Sequence, residues 1–214
     1  MGMTRRNWLG HCTALALAGL TRHAMAQAAK PVILVVGDSL SAEYGLARST
    51  GWVALLDQQL AKDNRAATVV NASISGDTTS GGRSRLPALL KQHKPTIVIL
   101  ELGGNDALRG LPLDMTRDNL LTMARAAKAA GAKVLVVGMQ VPPNYGRQYS
   151  DDFAALFASV AKTEGAALVP FLLKGIADAP NAEAQFQPDR IHPKAQAHPI
   201  MLANVWLGLS PLLR

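Results

Sequence analysis

The sequence predicts an α/β fold, a three-layer sandwich in which helices cover both faces of a five-stranded parallel sheet. Three observations carry this. From Pro31 onward, short β-branched runs alternate with longer amphipathic ones, the pattern of strands joined by crossover helices. The strand runs are apolar almost throughout rather than alternating, as strands buried on both faces must be. Glycines such as Gly131 and Gly165 fall just past helical runs, where a left-handed cap stops a helix before the next strand.

Taken in order, residues 1–26 stand apart from the rest. Arg5 and Arg6 precede an apolar stretch from Leu15 to Leu20 and a small-residue site, Ala24-Met25-Ala26, which together read as a cleavable export signal. The start Thr4-Arg5-Arg6-Asn7-Trp8-Leu9 resembles a twin-arginine signal. A lipoprotein box at Leu9-Gly10-His11-Cys12 is discounted, because the cysteine precedes the apolar core. The mature domain is therefore expected to span 27–214, in the periplasm or outside the cell.

Val32 to Val36 is the first strand, and Trp52 to Lys62 a helix with Trp52, Leu55, Leu56 and Leu60 on one face. Thr68 to Asn71 is the second strand, followed by a helix from Ser84 to His93. Thr96 to Leu100, the third strand, leads to a helix from Leu113 to Ala130. Lys133 to Met139 and Ala167 to Pro170 complete the sheet, with helices at Asp152 to Glu164 and Ala195 to Leu209. One domain accommodates all of this.

Composition narrows the function. The chain of 214 residues is 49% apolar and 17% charged, globular rather than disordered, and no run after the signal is long enough for stable membrane insertion. Loss of Arg5, Arg6 and Arg22 with the signal lowers the formal charge by three, from +7 to +4. No stripe of Lys and Arg interleaved with aromatics is present, so no nucleic-acid partner is indicated. Cys12, the sole cysteine, leaves with the signal, which excludes disulfides, thiol catalysis and thiolate metal sites.

In open α/β sheets ligands bind beyond the carboxyl ends of the strands. Four such segments carry polar residues. Gly37-Asp38-Ser39-Leu40-Ser41 follows the first strand, and a serine between a strand and a helix N-terminus is placed to be a nucleophile, although the same triplet suits a plain turn. Ser75-Gly76-Asp77-Thr78-Thr79 follows the second; Gly76 can offer its N–H to an oxyanion, or the loop can cradle a phosphate. Gly103-Gly104-Asn105-Asp106 follows the third, and the Asn105 amide is a neutral oxyanion donor or part of a turn.

The last segment is Asp189-Arg190-Ile191-His192-Pro193. An Asp three residues before a His can hold its Nδ1–H and leave Nε2 as a general base. His93 precedes the third strand, at the other edge, and His198 lies within the last helix, so His192 is the well-placed histidine. An oxygen-rich metal site joining Asp189 and His192 to Asp38 or Asp106 is a poor alternative without cysteine or a second histidine, and no metal or cofactor is expected.

Together these four blocks resemble, in order, those of the SGNH (GDSL) hydrolases, whose sheet is flavodoxin-like. The likeness is to the bacterial thioesterase I/lysophospholipase L1/arylesterase group, and extends through Val70 to Thr78, Arg85-Leu86-Pro87-Ala88-Leu89-Leu90 and Pro143-Asn144-Tyr145-Gly146-Arg147. The resemblance implies Ser39 as nucleophile, His192 as base and then acid, Asp189 as its orienting carboxylate, and an oxyanion hole of the Ser39 and Gly76 N–H groups with Asn105. It departs at Glu43, where thioesterase-like members tend to carry Gly.

The expected reaction is hydrolysis of a small-molecule ester, thioester or lysolipid through an acyl-enzyme. The loops Ala107 to Pro112 and Val141 to Tyr149 are expected to face the substrate, with Leu108, Arg109, Leu111, Pro143, Tyr145 and, beside the histidine, Ile191 as contacts. A monomer is expected. A flavodoxin-like binding module and a catalytically inactive SGNH domain that binds lipid or glycan are the alternatives.

Overall fold

The computed structural model describes residues 30–214; the export signal read in residues 1–26 lies outside them. Five strands, β1 (Val32–Gly37), β2 (Thr68–Asn71), β3 (Ile97–Glu101), β4 (Lys133–Val137) and β5 (Ala167–Val169), form one sheet in the order β2-β1-β3-β4-β5. Every pairing is parallel. Ile33 to Val36 of β1 and Val98 to Leu100 of β3 are wholly buried, which is why their sequences show no alternation.

Helices α1 (Trp52–Lys62) and α7 (His198–Leu209) pack together on one face, and α2 (Thr79–His93), α4 (Leu113–Ala129) and α5 (Arg147–Glu164) on the other. The first turns of α1 and α7 are joined by the Trp52 N–H, which donates to His198 Nδ1 at 3.0 Å. His198 is thus a buried structural histidine, and burial lowers its pKa.

Several boundaries differ from those read in the sequence. Helix α2 begins at Thr79, not Ser84, and runs through Gly81 and Gly82, poor helix formers on their own. Tertiary contacts hold this turn: Asp106 accepts the Thr79 N–H at 2.9 Å, and a side chain at Gly82 would meet Leu102. Helix α5 starts earlier, at Arg147, and α7 later, at His198, after a 3-10 turn over Ala195–Ala197. Strand β4 ends at Val137, and beyond it the Gly138 N–H donates to Val169 O at 2.7 Å while its carbonyl accepts the Leu172 N–H at 2.9 Å. Two short helices, α3 (Gly104–Leu108) and α6 (Ala182–Gln185), fall where the sequence pattern gives no helix.

The chain reverses direction across the sheet between β1 and β3, and such a switch point opens a crevice at the carboxyl ends of the strands. Ser39 follows one of these strands and Asn105 the other.

Candidate active site

After Gly37 the chain enters consecutive turns, with the Ala42 N–H donating to Asp38 O at 2.9 Å and the Tyr44 N–H to Ser39 O at 3.3 Å. Ser39 therefore does not sit at a helix N-terminus, as its position after a strand suggested; α1 begins only at Trp52. The partial positive charge near the hydroxyl must come from individual N–H groups.

Ser39 Oγ lies 2.8 Å from His192 Nε2, and His192 Nδ1 lies 2.7 Å from Asp189 Oδ2. The other carboxylate oxygen, Oδ1, accepts the N–H groups of Ile191 at 2.9 Å and His192 at 3.0 Å. Arg190, between them, has a left-handed φ of 60° that closes this turn. Desolvation alone would raise the Asp189 pKa, but the two backbone donors and the His192 imidazole outweigh it and hold the group at about 2. An ionised carboxylate can only accept, so Nδ1 carries the imidazole proton and Nε2 is left to accept the serine O–H.

The histidine loop is tied to the serine turn. Gln187 N–H donates to His192 O at 2.8 Å, and Gln187 Nε2 donates to Tyr44 O at 3.0 Å. Gly45 makes room for that side chain: a Cβ there would lie 2.2 Å from Gln187 Oε1.

The loop after β2 is drawn to the same place by the Ile74 N–H, which donates to Gly37 O at 3.0 Å. Gly76 follows two residues later with φ 78°, and its carbonyl accepts from Arg109 Nη2 at 2.8 Å. Arg85 braces this loop from α2 through an ion pair with Asp77 at 2.8 Å. Asn105 stands in the first turn of α3, where its Nδ2 donates to Asp38 Oδ2 at 3.1 Å. Asp106, beside it, is fully buried and accepts from Thr79 and from the Thr116 hydroxyl at 3.3 Å. Asp38 and Asp106, the two carboxylates weighed as metal ligands, are thus engaged by protein donors.

The model of the GDSL-like lipase/acylhydrolase family matches residues 35–200. The chain belongs to this family. Among its relatives, esterase TesA of Pseudomonas aeruginosa is 51% identical over 205 residues, covering 96% of this chain and 98% of that protein. Thioesterase 1/protease 1/lysophospholipase L1 of Escherichia coli K12 is 42% identical over 186 residues, 87% of this chain and 86% of its own. The crystal structure of a psychrotrophic esterase, EstA of Pseudoalteromonas, superimposes with a TM-score of 0.80 at 36% identity, covering 86% of this chain and 99% of EstA. The chain is accordingly an ester hydrolase.

In this GDSL-like acylhydrolase the substrate contacts read from the sequence divide. Leu108 and Ile191 are exposed, next to Arg109 and His192 respectively. Arg109 Nη2 donates to the Gly76 carbonyl at 2.8 Å, which holds its guanidinium against that loop. Leu111 is half-buried, its N–H bonded to Asp106 O at 2.9 Å. Pro143 opens the 3-10 turn Pro143–Tyr145, and Tyr145 stacks on Tyr149 with ring centroids 6.0 Å apart.

Two residues escaped sequence reading. Tyr44, half-exposed, lies over His192 with ring centroids 4.3 Å apart. Glu101 is buried at the end of β3 and accepts from the Ser41 hydroxyl at 2.6 Å. A charged residue ending an otherwise apolar strand was the available signal for Glu101. The Glu43 carboxylate accepts the N–H groups of Ser49 at 3.1 Å and Gly51 at 2.7 Å.

Proposed function

We propose that this protein is an exported serine hydrolase that cleaves carboxylic esters and thioesters through an acyl-enzyme on Ser39. The single observation that carries the reading is the unbroken hydrogen-bonded series from Ser39 Oγ through His192 to Asp189. Ser39 attacks the substrate carbonyl while His192 Nε2 takes its proton, then returns that proton to the departing alcohol or thiol. A water activated by the same nitrogen releases the acid. The Ser39 and Gly76 N–H groups and the Asn105 amide receive the developing oxyanion.

Four exposed large apolar residues, Tyr44, Ile74, Leu108 and Ile191, stand within five positions of Ser39, Gly76, Asn105 or His192 in the chain. This setting favours an apolar acyl or aryl group. TesA and the E. coli thioesterase/lysophospholipase by their names support esters, thioesters and lysolipids as the class. Residues 1–26 are assigned as the export signal and 27–214 as the catalytic domain, acting as a monomer.

A fluorophosphonate probe tests the chemistry. Mass spectrometry of the labelled mature protein should find the adduct on Ser39, and His192→Ala should abolish labelling. An adduct on another residue, or undiminished labelling of the variant, would refute the assignment. N-terminal sequencing of protein recovered from the periplasm should begin at Gln27.

A further inference from the structure

Beneath the serine turn lie two buried acids that the reaction scheme does not use. Asp38 is 2% exposed and Glu101 3%. Glu101 sits opposite Gly37 in the β1–β3 register, and a side chain at Gly37 would come within 2.8 Å of Glu101 Oε2. That oxygen accepts the Ser41 hydroxyl at 2.6 Å and lies 3.4 Å from the Asp38 N–H. Asp38 in turn uses both carboxylate oxygens: Oδ1 accepts the Leu40 N–H at 3.0 Å, and Oδ2 accepts Asn105 Nδ2 at 3.1 Å.

A primary amide can turn over and exchange its oxygen for its nitrogen at little cost unless a neighbour forbids it. An ionised carboxylate forbids it, since it can only accept. Extending the reading above, we propose that Asp38 is a positioning residue of the oxyanion hole. Seated on Glu101 and Ser41, it takes one N–H of Asn105 and thereby presents the geminal N–H, never the carbonyl oxygen, to the reacting carbonyl. The second Asn105 N–H and the Ser39 and Gly76 N–H groups have no acceptor among the described residues. They are free for the oxyanion.

Asp38 must be ionised to fix the amide, because a protonated carboxyl could itself donate to the Asn105 oxygen. Its surroundings set where that happens. Burial pushes the Asp38 pKa up to about 6; the Leu40 N–H, His192 and Asn105 pull it down, and Asp77, itself paired with Arg85, pushes it up. Burial, and after it the Asp38 charge, raise the Glu101 pKa well above its ordinary value.

The test compares wild type, Asp38→Asn, Asn105→Ala and the double variant on p-nitrophenyl butyrate. Turnover by wild type and its loss in Asn105→Ala belong to the underlying reading, and failure of those two arms would sink that reading instead. Asp38→Asn offers one acceptor oxygen where two are needed, so kcat is expected to fall roughly ten- to hundredfold, somewhat less than for outright removal of the donor. KM should stay within about twofold, and the melting temperature at neutral pH should be no lower than that of wild type. The double variant should be no slower than Asn105→Ala by more than about twofold, because the first change acts through the second residue. The wild-type acid limb of kcat should contain a component near pH 6 that Asp38→Asn lacks. An undiminished kcat in Asp38→Asn, additive losses in the double variant, or a loss that tracks a lowered melting temperature would each overturn the proposal.

Discussion

Asp38 adjoins Ser39 in the chain and Asp189 reaches it through His192, and the fold treats the two carboxylates in opposite ways. Asp189 has a side chain 36% exposed and three short contacts to the imidazole and backbone of its own loop, which hold it at about 2. Asp38 is wholly enclosed, has as many donors as oxygens, and is pushed up to about 6. The difference shows that hydrogen bonds keep a carboxylate charged only when they outweigh what burial takes away. It also separates two tasks. In the proposed reaction, one carboxylate would orient a base that must become a cation, and the other would aim a neutral donor at an anion.

The largest test of the contrast falls on the exposed carboxylate. Asp189→Asn should lower kcat by on the order of 10⁴, because an amide can donate to Nδ1 and select the wrong tautomer; steady-state kinetics on an aryl ester decide it. A loss smaller than that of Asp38→Asn would break the distinction. Next, Asn105→Ala should cost roughly a hundred- to a thousandfold in kcat, read in the same assay.

Stability should sharpen the comparison. With a folded-state pKa above its unfolded value, Asp38 stabilises the fold when protonated, and that contribution disappears as pH rises through about 6. Ionising it in place costs about 3 kcal/mol, from the shift between 3.8 and about 6. Urea unfolding should therefore find Asp38→Asn more stable than wild type at pH 8, by at most that amount, with the gain shrinking toward pH 4. Asp189 has the reverse sign: its contribution is present above the unfolded value of 3.8 and is lost as pH falls toward about 2. Being partly solvated, it should yield the smallest effect, a shallow acid-side loss that Asp189→Asn lacks.

The two aspartates also differ in how far they could be read. Asp189 and His192 are three residues apart in one turn, so local spacing suffices to pair them. Asp38 meets Asn105 across 67 residues and Glu101 across 63, through a register that no local pattern encodes. The same holds for the hydrogen bond from Arg109 to the Gly76 carbonyl, and for the first turn of α2, whose glycines read as loop until Asp106 and Leu102 close around them.

By itself, then, the sequence determined the strand and helix order, the parallel sheet, and the four polar blocks at the strand ends, because hydrophobic period and turn chemistry act over a few neighbouring residues. Only the tertiary structure decided which groups those blocks lean on: Tyr44 over the imidazole, and the Asp38–Glu101 pair under the amide. Burial and charge coupling depend on distance in space, and a chain acquires those distances only when its strands have paired.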